Sequence, residues 1–154
     1  MNLPDKSVDY VTAAQAFHWF DADAFRRECR RVLKPGGKVM LVYNARDVKA
    51  DCTKALASLH SRYNPEFHGF SNGMSHEKCV NFFMGTCDVF RADNTQVYDQ
   101  QGYVNRVLSS SYALKEDDAR YAEYLKDINK IFDRFSVNGF ISIPTETVAY
   151  IGTV

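Results

Sequence analysis

LPDKSVDYVTAAQAFHWFDADAFRRECRRVLKPGGKVMLVYNAR, residues 3 to 46, decides the fold. Val8 to Ala14 is β-rich and mostly apolar, and Lys38 to Tyr43 is so again. Between them Phe25, Cys29, Val32 and Leu33 recur at i, i+4, i+7 and i+8, which lines one side of a helix. Strand, helix and strand in that order form a βαβ unit. Such a crossover runs right-handed, sets the two strands parallel and lays the helix over one sheet face. The helix ends are also marked. Asp21 is a good N-cap, and Phe20 and Phe25 stand at the spacing of a hydrophobic staple. At the other end Pro35 presets φ, Gly36 offers the positive φ of a type II turn, and Gly37 releases the chain into the strand Lys38 to Tyr43. Arg26, Arg27, Glu28, Arg30 and Arg31 fall on the outer face and read as a solvated surface.

Composition narrows the function classes. The chain has 154 residues, 45% of them hydrophobic, with 19 Lys and Arg against 19 Asp and Glu. That length buries a sizeable core, and residues 1–154 are expected to form a single domain. Balanced charge argues against nucleic acid and against an anionic membrane surface as partners. No apolar run is long enough to span a bilayer, and the N-terminus has neither a basic nor an apolar leader region, so the expected address is cytoplasmic. Cys29, Cys52, Cys79 and Cys87 make no C-x-x-C pair and read as reduced structural thiols. The spacing of His60, His68, His76 and Cys79 matches no standard zinc pattern. This cluster is read as loop histidines, with no metal.

Beyond the βαβ unit, Asp47 to Tyr63 reads as a helix with Val48, Cys52, Ala55, Leu56 and Leu59 on its apolar face, ended by Asn64-Pro65. Pro65 to Ser75, with Gly69, Asn72 and Gly73, reads as a loop of mobile composition. Ser75 caps a short helix to Phe83. Gly85 to Tyr98 is a strand with a bulge or turn near Asp93-Asn94, and Asp99 to Ser109 a helix facing inward through Tyr103, Val107 and Leu108. Lys115 to Phe135 is the longest helix, with Ala119, Ala122, Leu125, Ile128, Ile131, Phe132 and Phe135 near the 3.6 period. Asn138-Gly139 signals a turn, and Phe140 to Val154 a long strand with a bend or edge at Pro144.

Three motifs carry a family resemblance: Leu3-Pro4-Asp5-Lys6-Ser7-Val8-Asp9, Ala13-Ala14-Gln15-Ala16-Phe17-His18-Trp19-Phe20-Asp21, and Arg31-Val32-Leu33-Lys34-Pro35-Gly36-Gly37. In this order and spacing they resemble the middle of class I S-adenosylmethionine (SAM) dependent methyltransferases, in the type 11, UbiE-like small-molecule branch. The segment DQQGYVNRVLSSSYAL, Asp99 to Leu114, resembles a later element of the same branch. The resemblance implies an α/β, Rossmann-like fold and runs from the family's fourth strand to its end. The Gly-rich loop that cradles the methionine end of SAM has no counterpart, because the eight glycines include no G-x-G. The expected sheet is therefore a truncated one of about four strands, near residues 8–14, 38–43, 86–98 and 145–153, in the family order 4-5-7-6. Its fourth-strand edge, residues 8–14, would lie open, which implies a homo-oligomer joined there or across the face of the missing helices.

The resemblance also supplies candidate site residues. Open α/β sheets bind ligands beyond the carboxyl ends of their strands, at the switch point. Ala14, Gln15, Ala16, His18 and Trp19 are the cofactor-side candidates; Tyr43, Asn44, Arg106, Ser110 and Tyr112 are the acceptor-side candidates. His18 is the one candidate for a base, with a packing or positioning role equally open, since methyl transfer from a sulfonium needs mainly proximity and alignment. For Trp19, a place in an aromatic core with Phe17 and Phe20 stands beside the cofactor role. Two functions remain open at this point. One is transfer of a methyl group from SAM to a small molecule, by a chain expected to be incomplete and inactive alone. The other is a non-catalytic, truncated methyltransferase-like protein that self-associates.

Overall fold

The computed structural model describes residues 2–70 and 75–154. Its elements begin with β1 (Val8–Ala14), a 3-10 turn (Phe17–Trp19), α1 (Ala22–Val32), β2 (Leu33–Arg46) and α2 (Asp51–Tyr63). There follow α3 (His76–Phe82), β3 (Asp88–Asp93), β4 (Gln96–Tyr98), α4 (Gln100–Leu108), α5 (Tyr121–Phe135), β5 (Ile141–Ile143) and β6 (Thr145–Gly152). They pack as two compact units. The first comprises Met1–Ala45, Asn72–Asp93 and Glu146–Val154, the second Arg46–Ser71 and Asn94–Thr145.

The first unit holds a four-stranded sheet in the order β1-β2-β6-β3. Numbered in the family's scheme this is 4-5-7-6, the order expected from the sequence. β1 and β2 are parallel, with Val11 opposite Val39 and Ala13 opposite Leu41, and β3 pairs with β6 antiparallel. α1 follows β1 as predicted. Asp21 Oδ1 accepts from the Ala24 amide at 2.7 Å, and the rings of Phe20 and Phe25 meet at 4.9 Å. The helix packs through Cys29 and Val32, both fully buried, against Val11, Val39, Leu41, Phe82 and Tyr150 in one core. Arg26 departs from the solvated face assigned to it. Its Nε donates to the Phe82 carbonyl at 2.9 Å and its guanidinium lies over the Phe82 ring, tying α1 to the C-terminal end of α3. α3 is capped as expected, by Ser75 Oγ accepting from the Lys78 amide.

The second unit gathers α2, α4 and α5 around Leu56, Tyr103, Tyr124, Ile128 and Ile141, with the two-stranded antiparallel ribbon β4-β5 beside them. Asp99 Oδ1 accepts from the Gly102 amide at 2.7 Å and starts α4. One carboxylate is shared in this core. Asp127 accepts from Arg62 at 2.9 Å, from the Tyr63 hydroxyl at 3.0 Å and from Lys130 at 2.7 Å.

Several boundaries differ from the sequence expectations. The Pro35-Gly36-Gly37 turn lies inside β2: Val8 pairs with Leu33 and Tyr10 with Lys38, so Lys34 to Gly37 form an excursion from the ladder, with Gly36 at φ +79°. The strands expected over 85–98 and 140–154 each divide between two sheets. Pro144 has no amide to continue a ladder; its carbonyl accepts from Asp47, and the Thr145 carbonyl accepts from Asn94. α5 begins at Tyr121, not Lys115, because Asp118 takes the Arg120 amide and guanidinium in a local turn, and Ala119 and Ala122 are exposed. α2 begins at Asp51, leaving Val48 exposed. Of the histidines assigned to loops, His60 is buried inside α2 and His76 opens α3, where its Nδ1 lies 3.2 Å from the Tyr150 hydroxyl. Asn72 and Gly73 of the loop expected to be mobile lie outside the described residues. The four cysteines are free thiols. No helix among the described residues is long and apolar enough to cross a membrane.

Candidate functional site

The carboxyl ends of β1 and β2 form a wall in the first unit. β1 ends at Ala14, paired with Val42, and the chain turns sharply at Gln15, whose φ of +50° is rare for a residue with a side chain. Two hydrogen bonds hold that turn: the Gln15 amide donates to the Val42 carbonyl at 2.9 Å, and Gln15 Nε2 donates to the Asn44 carbonyl at 3.2 Å. Asn44 is fixed in turn by Thr147 Oγ1, which donates to its Oδ1 at 2.7 Å. Ala16 then starts the 3-10 turn, accepting from the Trp19 amide.

The turn sorts its aromatic side chains. Phe17 is buried and meets Phe82 edge-on at 4.7 Å, whereas His18 and Trp19 are exposed, with ring centres 4.6 Å apart. Trp19 is 78% exposed and so is not part of the core. Tyr43 lies beneath the turn, 6.4 Å from the His18 ring, and its buried hydroxyl has no hydrogen bond of good geometry. Burial pushes that hydroxyl's pKa well up; the nearby Phe17 and His18 amides offset only part of the shift. Ala14, Gln15, Ala16, His18, Trp19, Tyr43 and Asn44 therefore share one end of one sheet.

Arg106, Ser110 and Tyr112 belong to the second unit, and two of them line a cleft there. Arg106 and Ser110 face it from α4 and the turn after it, Thr53, Leu56 and His60 from α2, and Arg46 from the end of β2. The space from the recess out to its open mouth, solvent included, is about 440 Å³, and the recess itself has room for about one water molecule. Arg46 is half-buried and lies 4.5 Å from the centre of the Phe70 ring. Burial, and then the charge of Arg106, hold its pKa below the ordinary arginine range. The same two causes, burial first and then the charge of Arg46, push His60 down to about 4, so it is neutral at neutral pH. Tyr112 packs on His60 at 5.7 Å, behind the cleft.

The acceptor-side candidates from the sequence omitted Arg46, Thr53, His60 and Tyr103, all of which line this cleft. A signal for two of them was present. Thr53 and His60 are seven residues apart, two turns of one helix, and both are buried.

Residues 1–41 match the model of a family described as "Methyltransferase domain". An uncharacterized methyltransferase-like protein of Schizosaccharomyces pombe is 41% identical over 68 residues, which is 44% of this chain and 27% of the relative. An uncharacterized methyltransferase of Mycobacterium tuberculosis is 43% identical over 60 residues, 39% of this chain and 25% of the relative. The matches thus span about a quarter of the length of these curated relatives. Among solved structures, the "Putative Type II Methyltransferase" from Anaeromyxobacter dehalogenans superposes with a TM-score of 0.66 at 20% identity, over 99% of this chain and 67% of that one. Residues 1–41 thus match a methyltransferase family, and the described fold resembles the corresponding part of the Anaeromyxobacter dehalogenans structure.

Proposed function

We propose that the chain is the acceptor-side part of a SAM-dependent methyltransferase of small molecules, acting as one domain in the cytoplasm. The observation that carries this reading is the wall at the carboxyl end of β1. There Gln15 is held in a strained turn by Val42 and Asn44 while His18 and Trp19 stand exposed. Backbone held at a positive φ by its surroundings is enriched at ligand clamps, and open α/β sheets bind ligands at this end of their strands. The four free thiols suit a reducing compartment.

SAM would bring an electrophilic methyl group on a sulfonium. Ala14, Gln15, Ala16, His18 and Trp19 flank it on this reading, and Trp19 offers its ring face to the positive sulfur. The fit is partial. The wall contains neither a Gly-rich cradle nor an acidic residue for the ribose hydroxyls. These residues position a cofactor that needs further groups to hold it, which is why the chain is proposed to be inactive by itself. Tyr43 and Asn44 border the same wall on the acceptor side. His18 serves as a base only for an acceptor that must lose a proton.

The test is a calorimetric titration of S-adenosylhomocysteine into the mass-verified chain, and again into Trp19→Ala and Gln15→Ala. Saturable binding weakened in both variants supports the wall. Saturable binding unchanged in both refutes it; no heat at all confines the chain to the non-catalytic reading.

A specific observation also favours self-association. β1 is an outer strand of the sheet and exposes Asp9, Tyr10, Thr12 and Ala14, with Tyr10 63% exposed. An outer strand with no such cover is a template for pairing. We propose that two copies join along β1. Light scattering that gives a monomer at high protein concentration refutes this, and a dimer lost on placing a proline at Thr12 supports it.

A further inference from the structure

We propose that the cleft between α2 and α4 is a binding site for the carboxylate group of a small organic acid, held by Arg46 and Arg106 with the hydroxyls of Thr53, Tyr103 and Ser110.

Three observations converge on this cleft. The first is charge. Two guanidiniums line it, no Asp or Glu does, and among the described residues neither arginine is paired with a carboxylate. Arg46 is half-buried, and burial first and then the charge of Arg106 lower its pKa. A pair of like charges facing one recess calls for an anion between them. The second is hydrogen bonding. Four buried side-chain polar atoms among the described residues lack a partner, and three of them, Thr53 Oγ1, Tyr103 OH and Ser110 Oγ, belong to residues of this one cleft. Buried hydroxyls are normally satisfied, so three unpartnered ones on residues around one recess are what a small rearrangement on ligand binding would satisfy. The third is the remaining lining. Leu56, Tyr98, Val107 and Ile143 supply apolar surface, which suits the carbon body of an organic acid better than a bare inorganic ion.

The donor set fits the geometry of a carboxylate. A planar guanidinium gives two parallel N–H donors to the two oxygens of a carboxylate, and each oxygen keeps lone pairs for a hydroxyl. Arg46 is steadied by the Phe70 ring at 4.5 Å, so its fork is not free to follow solvent. His60, neutral beneath the cleft, adds no third positive charge.

As a carboxylate site the cleft stands without any catalytic assumption. As the pocket of the methyl acceptor it rests on the methyltransferase reading, and the experiment keeps the two apart. The full chain, isotopically labelled, is titrated with sodium benzoate and with sodium succinate at constant ionic strength, with chloride and phosphate as controls. Saturable shifts at the Thr53, Tyr103 and Ser110 amides, produced by a carboxylate and not by the controls, are expected. Binding should weaken about tenfold or more in Arg106→Gln, and Arg106→Lys should fail to restore it, because Lys keeps the charge but loses the fork. Ser110→Ala, a smaller change, covers the case in which an arginine variant does not fold, and should weaken binding several-fold. No saturable shift, equal shifts from chloride or phosphate, or unchanged binding in the variants would overturn the proposal. Carboxylate binding without S-adenosylhomocysteine binding leaves the cleft in place and counts against the methyltransferase reading. S-adenosylhomocysteine binding without carboxylate binding does the reverse.

Discussion

Lowering the pH through the His60 titration should cost the folded chain a definite amount of stability. His60 is 1% exposed, and its pKa falls from 6.5 to about 4 through burial first and the Arg46 charge second. The unfolded chain protonates this imidazole near pH 6.5, whereas the native chain resists until about pH 4. Between those values the unfolded state binds more protons, so stability falls with falling pH. The full penalty below both values is about 3 kcal/mol, and about 2 kcal/mol of it is present at about pH 5. That pH is informative because the native-state carboxylate interactions are still intact there. Glu28 and Asp118 are held down to about 2 by Arg31 and Arg120, and the contributions of such groups fade only below the ordinary carboxylate range. The perturbation is His60→Phe. The ring fits among Phe67, Phe70 and Tyr112, all within 5.7 Å of the imidazole, and the lost contact to the Tyr124 hydroxyl costs the same at every pH. Urea denaturation followed by far-UV circular dichroism at about pH 8 and about pH 5 reads the difference. The wild-type chain should lose about 2 kcal/mol between them and the variant close to nothing from this site. An equal loss in both chains, or a His60 proton resonance titrating near 6.5, would refute the assignment.

Other perturbations probe the frame. Asp127→Ala should destabilise by about 2 to 3 kcal/mol in urea titrations, mainly through the buried Tyr63 hydroxyl left without its acceptor, since Arg62 and Lys130 are largely exposed. Gly37→Ala should cost about 1 to 3 kcal/mol, read as a lowered Tm, because a Cβ there meets Leu33 Cδ2 at 2.9 Å and the Asp9 and Lys34 carbonyls at 3.0 Å. At the strained turn, Gln15→Val should destabilise by about 1 to 2 kcal/mol while Gln15→Gly stays within about 1 kcal/mol of wild type; equal losses would mean that the positive φ carries no strain. Tyr43→Phe should leave the unfolding free energy from urea titration unchanged within about 0.5 kcal/mol, because the hydroxyl it removes makes no hydrogen bond of good geometry.

The sheet was legible because its evidence is local. β1, α1 and β2 each carry their own period, and Asp21, Ser75 and Asp99 each cap the helix that their position announces. Where an element depends on distant partners, the local signal misleads. Pro35-Gly36-Gly37 has the composition of a turn, yet the strand pairing resumes beyond it with Tyr10 opposite Lys38. Residues 115–120 have helical composition, but Asp118 captures the Arg120 amide and the helix waits until Tyr121. Pro144 was recognisable as a bend. That it separates strands of two different sheets follows from the Asp47 and Asn94 hydrogen bonds on either side of it, which no sequence period encodes.

The cleft of the second unit was harder to read for a related reason. The sequence assigns the α2 segment one apolar face, through Val48, Cys52, Ala55, Leu56 and Leu59, and is silent on the polar residues beside it. In the fold Thr53, His60 and Tyr63 are buried beside that stripe, because a helix that meets both α4 and α5 covers a wider face than one apolar stripe predicts. A polar residue within such a widened face is ambiguous until its partners are known. Tyr63 finds Asp127, and His60 meets Tyr124. Thr53 finds no protein partner, and it shares that condition with Tyr103 and Ser110 across a cleft that also holds two arginines. Burying an unpaired hydroxyl costs about 1 to 3 kcal/mol, and closely set like charges add to the cost, so a fold optimised for stability alone would replace these residues. A bound carboxylate, as proposed, would offset both costs. Arg46, one residue beyond the apolar run of β2, contributes to that site through its position in the fold, where the sequence offered only the end of a strand.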